Sequence, residues 1–402
     1  MGSIAANPFQ DVPVGRTEGL EALVAQFRAD TDPNRTDLLV GVYKTNEGKA
    51  YVLPSVKKAK TKIFNDPDWH HEYRPSSLGS QNYRDLSAKL LFGADHRLLR
   101  EKSFHTDTRC KWRMPCRRSY VEESLWTMEA DWEPRDLPSK RFLVVLPYFS
   151  SKTNSFDFVT FAEAIKLLPA QSVVLLQSGA QNPTGCDPSP DQWRELASIF
   201  SQRGHLAFFD AAYPGFASGD IDTDLEGVRL FAEHEIPLVF VSTYGKSFGL
   251  YSERVGILSI LVPSEEVGKI IETHLRLLAR AESGAPPDFG SKIIETVLSD
   301  EVLERQWREE VRDMANQLKH RRIALREGLE KLGTPGDWRH ITEQNGMFSY
   351  VGLSVEQVTL LRNKHHVYLQ DSGRISIAGL NKFNIDYTAR SISAVVKATT
   401  PK

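Results

Sequence analysis

Strand and helix signals that alternate between residues 159 and 243 predict an α/β protein with a mostly parallel central sheet flanked by helices, followed by a smaller α+β domain. Two observations carry that prediction. The strand-length apolar runs "SVVLLQSG" (172–179), "HLAFFDAA" (205–212) and 236–243 have the composition of strands buried in a sheet. Residues 159–167, 188–201 and 224–234 repeat at helical spacing around them, and strands separated by helices pair in parallel.

The remaining elements follow in order. Residues 17–30 and 54–65 carry helical periodicity, "RTDLLVGVYKT" (35–45) is apolar enough for a short strand, and "EGK" after it reads as a turn. Ser80 opens an amphipathic helix over 80–92. A long, heavily charged helical stretch fills 298–332. Such helices commonly bridge domains, so a boundary is expected inside it near 310. The expected division is an N-terminal arm with part of the small domain over 1–48, a large domain over 49–310, and a small C-terminal domain over 311–402. In the last, "MFSYVGL", "VYL" and "GRISIAGL" are short strands, and a final helix starts at about 386.

Residues 103–141 break the pattern. They hold only Val121, Leu125 and Leu137 as branched aliphatics, yet three of the seven tryptophans (Trp112, Trp126, Trp132) and two of the three cysteines. The composition predicts surface loop or a poor helix, and it cannot supply a buried parallel strand.

Bulk numbers exclude several functions. With 402 residues, 25% charged and a formal net charge of −2, the chain has no basic excess to neutralise phosphates, so a general nucleic-acid binder is not expected. No apolar run approaches bilayer length. The opening "MGSIAANPFQDVPVG" lacks a basic leader and an apolar core, and Ala6 interrupts the myristoylation pattern. Cys110, Cys116 and Cys186 have neither metal-ligand nor disulfide spacing, so a reduced, cytoplasmic protein is expected.

In an open α/β sheet, ligands gather at the carboxyl ends of the strands. Three such ends are polar here: "AQNPTG" after 172–179, "DAAYPGF" after 205–210, and "TYGKSFG" after 236–243. An Asn, an Asp with a Tyr three residues on, and a Lys with an Arg eight residues on would face one cleft. A lysine in a partly dry cleft has a lowered pKa and becomes a nucleophilic amine. An acid able to pair with a pyridinium nitrogen is the other requirement of pyridoxal phosphate chemistry.

With "QNPTGCDPSPDQW", "FFDAAYPGFASGD", "YGKSFGLYSERVG", "NGMFSYVGL" and "GRISIAGL" in order, the chain resembles the aspartate aminotransferase family of fold-type I aminotransferases. "LLVGVYKTNEGKAYVLPSV" and "HEYRPSSLGS" extend the resemblance toward the N-terminus. It implies pyridoxal 5′-phosphate as cofactor, an amino acid and a 2-oxo acid as substrates, and a homodimer with shared active sites. Lys246 would be the Schiff-base lysine and proton carrier, and Asp210 the carboxylate on the ring nitrogen. Tyr213 and Asn182 would bond the ring oxygen, while Thr243 and Arg254 would bind the phosphate, joined by Tyr73 from the neighbouring subunit. Arg374 would clamp the substrate α-carboxylate, Gly41 would line the substrate site, and Arg280, donated across the dimer, would take a side-chain carboxylate. Blander readings stand beside these: Asp210 as a helix N-cap, Asn182 as a turn former, Tyr73 as a buried tyrosine, Arg254 as an exposed arginine, Arg280 as a helix-end arginine.

Between about 103 and 150 the resemblance fails. The family's Ser-Gly-Thr-type turn, its apolar strands and its ring-stacking aromatic are not recognisable there, and the composition matches that of an out-of-frame translation. Three readings follow. One is an aminotransferase acting on aspartate or glutamate, or on an aromatic amino acid if Arg280 has another role. The second is a catalytically impaired or inactive relative with a defective phosphate site. The third is a decarboxylase, which two carboxylate-binding arginines argue against.

Overall fold

The computed structural model describes residues 19–93, the backbone of 105–109, and residues 144–400. Helices α1 (Gly19–Ala29), α2 (Pro54–Phe64) and α3 (Gln81–Phe92) form where the periodicity predicts them, and the Ser80 hydroxyl caps α3 by accepting the Tyr83 N–H. Most of the 35–45 stretch is irregular; β1 (Thr36–Asp37) pairs in parallel with a distant strand of the C-terminal part, and Lys44 makes a single antiparallel bridge to Ala50.

The central sheet contains β2 (His105–Arg109), β5 (Val173–Gln177), β6 (Leu206–Ala211), β7 (Leu238–Thr243) and β8 (Val255–Ile260), in the order β2-β8-β7-β6-β5. A small hairpin of β3 (Phe149–Ser150) and β4 (Ser155–Phe156) lies between β2 and β5 in the chain. β5, β6 and β7 are parallel neighbours, and β8 opposes both β7 and β2. Four strands therefore run one way and one runs against them, as a mostly parallel sheet requires. The connections explain the directions. α5 (Pro190–Arg203) joins β5 to β6, α6 (Ile221–Asp224) and α7 (Glu226–Glu233) join β6 to β7, and only a turn joins β7 to β8.

Three sequence expectations need correction. Residues 105–109 form a strand rather than loop or helix; among the described residues it is an edge strand with one neighbour, β8, and an edge strand does not need the apolar run of a central one. The rest of the 103–141 prediction lies outside the described residues. The helix expected over 224–234 starts two residues later, as α7 (Glu226–Glu233); residue 224 instead ends the separate short α6, and the two are divided at Leu225, whose ψ of 1° leaves the helical range. The strand β8 and helices α8 (Glu265–Ser283) and α9 (Phe289–Leu298) had no counterpart in the sequence reading. α4 (Phe158–Leu167) matches its prediction.

α10 (Glu301–Lys331) is one continuous helix of 31 residues, capped by the Asp300 carboxylate on the Val302 and Leu303 N–H groups. Leu303, Trp307, Val311, Met314, Leu318, Leu325 and Leu329 fall on its buried face at helical spacing. Trp307 stacks on Phe248 with ring centres 4.3 Å apart and donates its indole N–H to the Ser247 carbonyl. The C-terminal part adds α11 (His340–Glu343), β9 (Phe348–Tyr350), α12 (Val355–His365), β10 (Val367–Tyr368), β11 (Arg374–Ser376) and α13 (Ile385–Thr399). β9 pairs with β11, and β10 receives β1.

The loop before β9 docks on the loop after β5 at near-backbone distance. Gly346 has φ +74°, and a Cβ there would lie 2.3 Å from the Ala180 Cβ; Gly185 has φ +70°, and its Cβ would meet the Asn345 carbonyl at 2.7 Å. Gly346→Ala is expected to destabilise by at least about 2 kcal/mol, from left-handed backbone strain plus overlap, and thermal denaturation at fixed pH checks it.

Candidate active site

Lys246 lies three residues beyond β7, in the turn that reverses the chain into β8. Its Nζ donates to the Gly41 carbonyl at 2.8 Å and sits 4.9 Å from the Tyr251 ring centre and 5.9 Å from that of Tyr213. No carboxylate pairs with it among the described residues. Burial, helped by the Arg254 and Arg374 charges, lowers its pKa to about 8. Gly41 must be glycine, because a Cβ would stand 2.4 Å from Cζ of Phe348.

Asp210 is the penultimate residue of β6, not a helix cap. Its carboxylate makes no hydrogen bond among the described residues, and burial raises its pKa to about 6. At neutral pH it is an anion waiting for a cationic or N–H partner. Three residues on, Tyr213 is buried, its hydroxyl bonded to the Asn182 side chain. Desolvation pushes that phenol well above its usual range, with the Asp210 charge adding to the shift. Asn182 does more than shape a turn: its Oδ1 accepts Arg374 Nη1 at 3.1 Å. Arg374 Nη2 donates to the Leu39 carbonyl at 2.7 Å, and its guanidinium carbon lies 4.1 Å from the Phe348 ring centre. Lys246, Asp210, Tyr213, Asn182, Arg374 and Gly41 are thus brought together.

The other predicted residues are placed differently. The Thr243 hydroxyl ends β7, donating to the Val255 carbonyl and accepting the Gly245 N–H. Arg254 is exposed with φ 55° and holds the Tyr251 carbonyl at 3.1 Å, yet its charge reaches Lys246. Tyr73 is 88% exposed, which overturns the buried-tyrosine reading. Arg280 is exposed in the last turn of α8. Neither Tyr73 nor Arg280 makes a side-chain hydrogen bond or ion pair among the described residues.

The sequence reading missed two members of the cleft. Tyr251 faces Lys246 and accepts the Tyr43 N–H at 3.0 Å, and Phe348 packs on Arg374, Tyr213 and Gly41. Both lie inside motifs already singled out, "YGKSFGLYSERVG" and "NGMFSYVGL", where the sequence gives neither a role of its own.

A family model described as aminotransferase class I and II matches residues 139–392. The mitochondrial aspartate aminotransferase of Dictyostelium discoideum is 34% identical, covering 98% of this chain and 95% of its own. The chain belongs to the class I and II aminotransferases. This aminotransferase is also similar to the solved cytoplasmic aspartate aminotransferase of Saccharomyces cerevisiae, at a TM-score of 0.87 and 31% identity over 98% of this chain and 99% of that one. An aromatic-amino-acid aminotransferase from Burkholderia pseudomallei, solved covalently bound to pyridoxal phosphate, gives a TM-score of 0.86 and 29% identity over 97% and 100%. The family match starts at residue 139, where the 103–141 segment ends.

Two outcomes follow from the electrostatics of this aminotransferase. The Asp210 carboxyl holds its proton to about pH 6 when folded but only to about 3.8 when unfolded, so stability falls as pH rises between those values and stays down above them. In the cofactor-free protein, Asp210→Asn is therefore expected to gain about 2 kcal/mol above pH 6 and nothing below pH 4, read by denaturant titration across pH. Lys246 is depressed instead, so its amine gains reactivity from a lower pH. Its modification by trinitrobenzenesulfonate, followed by peptide mass, should inflect near pH 8 and not near 10.5.

Proposed function

We propose that this chain is a pyridoxal-phosphate-dependent transaminase that moves an amino group between an amino acid, aspartate or glutamate, and a 2-oxo acid. The observation that carries the reading is the pair at neighbouring strand ends: Asp210, a buried carboxylate with no partner among the described residues, beside Lys246, a lysine of lowered pKa. The residues present fit the cofactor. Asp210 would hold its ring nitrogen, Tyr213 and Asn182 its ring oxygen, Thr243 and Arg254 its phosphate, and Lys246 its carbonyl carbon. When bound, it supplies a sink for the electrons released at the substrate α-carbon.

The chain's own residues do the rest. With a pKa of about 8, Lys246 is neutral in roughly a tenth of molecules at pH 7, against a few in ten thousand for an ordinary lysine, so it can take a proton from the substrate and return it. The Gly41 carbonyl aims its amine. Arg374, fixed by Asn182 and Leu39, presents a planar fork to the α-carboxylate. The Asp210 carboxylate, desolvated and unpaired, favours a protonated ring nitrogen.

Exposure of Tyr73 and Arg280, and of Ile270, Leu277 and Leu278 on α8, supports a homodimer in which each copy completes the other's site. Aspartate aminotransferases from Dictyostelium discoideum, Medicago sativa and Saccharomyces cerevisiae support the dicarboxylate preference; the likeness to the Burkholderia aromatic enzyme keeps aromatic amino acids in the assay. Cytoplasmic relatives support a cytoplasmic place, although mitochondrial ones match as well; among the described residues no helix is long and apolar enough to cross a membrane.

The test is the visible spectrum of purified protein with added pyridoxal phosphate, before and after borohydride. A band that borohydride fixes on Lys246, absent from Lys246→Ala, is expected, together with aspartate–2-oxoglutarate turnover that falls by at least about a thousandfold in that variant. A folded protein with no band would leave the inactive reading.

A further inference from the structure

The stretch "QLKHRRIALR" (317–326) looks like a solvated helix face, since charge runs usually are. Arg322 departs from that. It is 2% exposed inside α10 and has no ion pair among the described residues. Its partners are backbone carbonyls: Nη1 donates to Ile341 at 2.9 Å, and Nη2 to Asn345 at 2.7 Å, to Gly346 at 3.0 Å and to Phe348. Four oxygens from one eight-residue segment converge on a single guanidinium. Burying a guanidinium without a carboxylate is costly, and leaving four carbonyls there without a donor would be costly as well. The arrangement fixes the path of the chain from α11 into β9.

Phe348 opens β9, and its ring is the common wall of the substrate side of the cleft. It lies 4.1 Å from the Arg374 guanidinium carbon and 5.8 Å from the Tyr213 ring centre, and it fills the space that a Cβ on Gly41 would need. A shift of the Phe348 backbone moves the surface against which Arg374 is stacked.

We propose that Arg322 is a positioning residue for the substrate carboxylate: by gathering the carbonyls of 341–348 it sets the Phe348 ring, and the ring sets the Arg374 fork. The proposal rests on the reading of Arg374 as the carboxylate clamp. Arg322 touches neither substrate nor cofactor; it acts through Phe348. Lysine at 322 keeps the charge but offers one ammonium in place of two terminal nitrogens in a plane, so it cannot span all four oxygens.

The experiment uses the cofactor-loaded protein and two unreactive acids, succinate and 3-phenylpropanoate, with dissociation constants measured by calorimetry for wild type, Arg322→Lys, Phe348→Leu and the double variant. Thermal midpoint and borohydride-fixed pyridoxal phosphate are read alongside. The expected result is binding of at least one acid weakened about tenfold by Arg322→Lys, with cofactor fixation on Lys246 unchanged. Phe348→Leu should weaken it similarly, and the double variant should be no weaker than the worse single one. A folded Arg322→Lys with unchanged binding, or two effects that simply add, would overturn the proposal. If Arg322→Lys does not fold, undiminished binding by Phe348→Leu overturns it alone. Wild type that binds neither acid would overturn the clamp reading and this proposal with it, whereas wild-type binding with insensitive variants overturns only the latter.

Discussion

The cleft depends on the side-by-side parallel pairing of β5, β6 and β7. Adjacent strands lie about 4.8 Å apart, so residues that end neighbouring parallel strands are within two strand spacings of one another. The register aligns Gln177 with Asp210, and Asp210 with Val241. From β5, Gln177 holds Asn182 by both of its backbone groups, at 2.9 and 3.1 Å. From β6 come Asp210 and, one bend later, Tyr213; from β7 come Thr243 and the turn bearing Lys246. A slip of one residue in either pairing would turn these side chains to the opposite face.

Around that edge the cations share a device. Lys246, Arg374, Arg321 and Arg322 are all bound to neutral oxygens: Lys246 to Gly41, Arg374 to Leu39 and Asn182, Arg321 to Lys44 and Ala378, Arg322 to the 341–348 carbonyls. A carbonyl dipole solvates a cation without cancelling its charge. A carboxylate partner on Arg374 would compete with the substrate for the same fork; an amide oxygen orients the fork and leaves the charge available. The segment from Leu39 to Lys44 receives three of these bonds, one each from Lys246, Arg374 and Arg321, and Tyr251 adds a fourth tie through the Tyr43 N–H. An irregular stretch near the N-terminus is thereby tied into a site whose other parts come from the sheet and from β11.

Local features were legible and distant pairings were not. The β5-to-β7 alternation, the Ser80 cap and the polar strand ends are all set within a dozen residues of sequence, and each is found where the pattern places it. β8 escaped because "VGILSI" lies directly behind the Lys246 turn, where a short apolar run carries no period to separate strand from core. The Gly41 contact spans 205 positions, and nothing local marks that glycine as the oxygen Lys246 needs. Arg322 is the sharper case. Composition assigns an arginine in a charged helix to solvent, and only the fold of the 341–348 segment, which α10 itself helps to hold, gives it carbonyls to bind. Likewise, Tyr73 and Arg280 make no side-chain hydrogen bond or ion pair among the described residues, so no contact within the chain ties them to the cleft.

What remains is the energetic cost of the cleft and what offsets it. Asp210 and Lys246 are desolvated without ionic partners among the described residues, and Arg322 is buried among dipoles, so each costs stability relative to an apolar isostere. The surface ion pairs offer little against this: Arg194–Asp191 and Lys269–Glu265 are both more than half exposed, where pairs are worth about 0–1 kcal/mol. The offset comes from the apolar face of α10, the Trp307–Phe248 stack and the aromatic packing beneath the sheet. Those contacts are indifferent to what occupies the cleft, but the charged groups are not. A group that brings an N–H to Asp210 relieves part of the cost that the core carries. Part of that group's affinity is thus the desolvation cost of Asp210, returned only to a partner that places its N–H against the carboxylate.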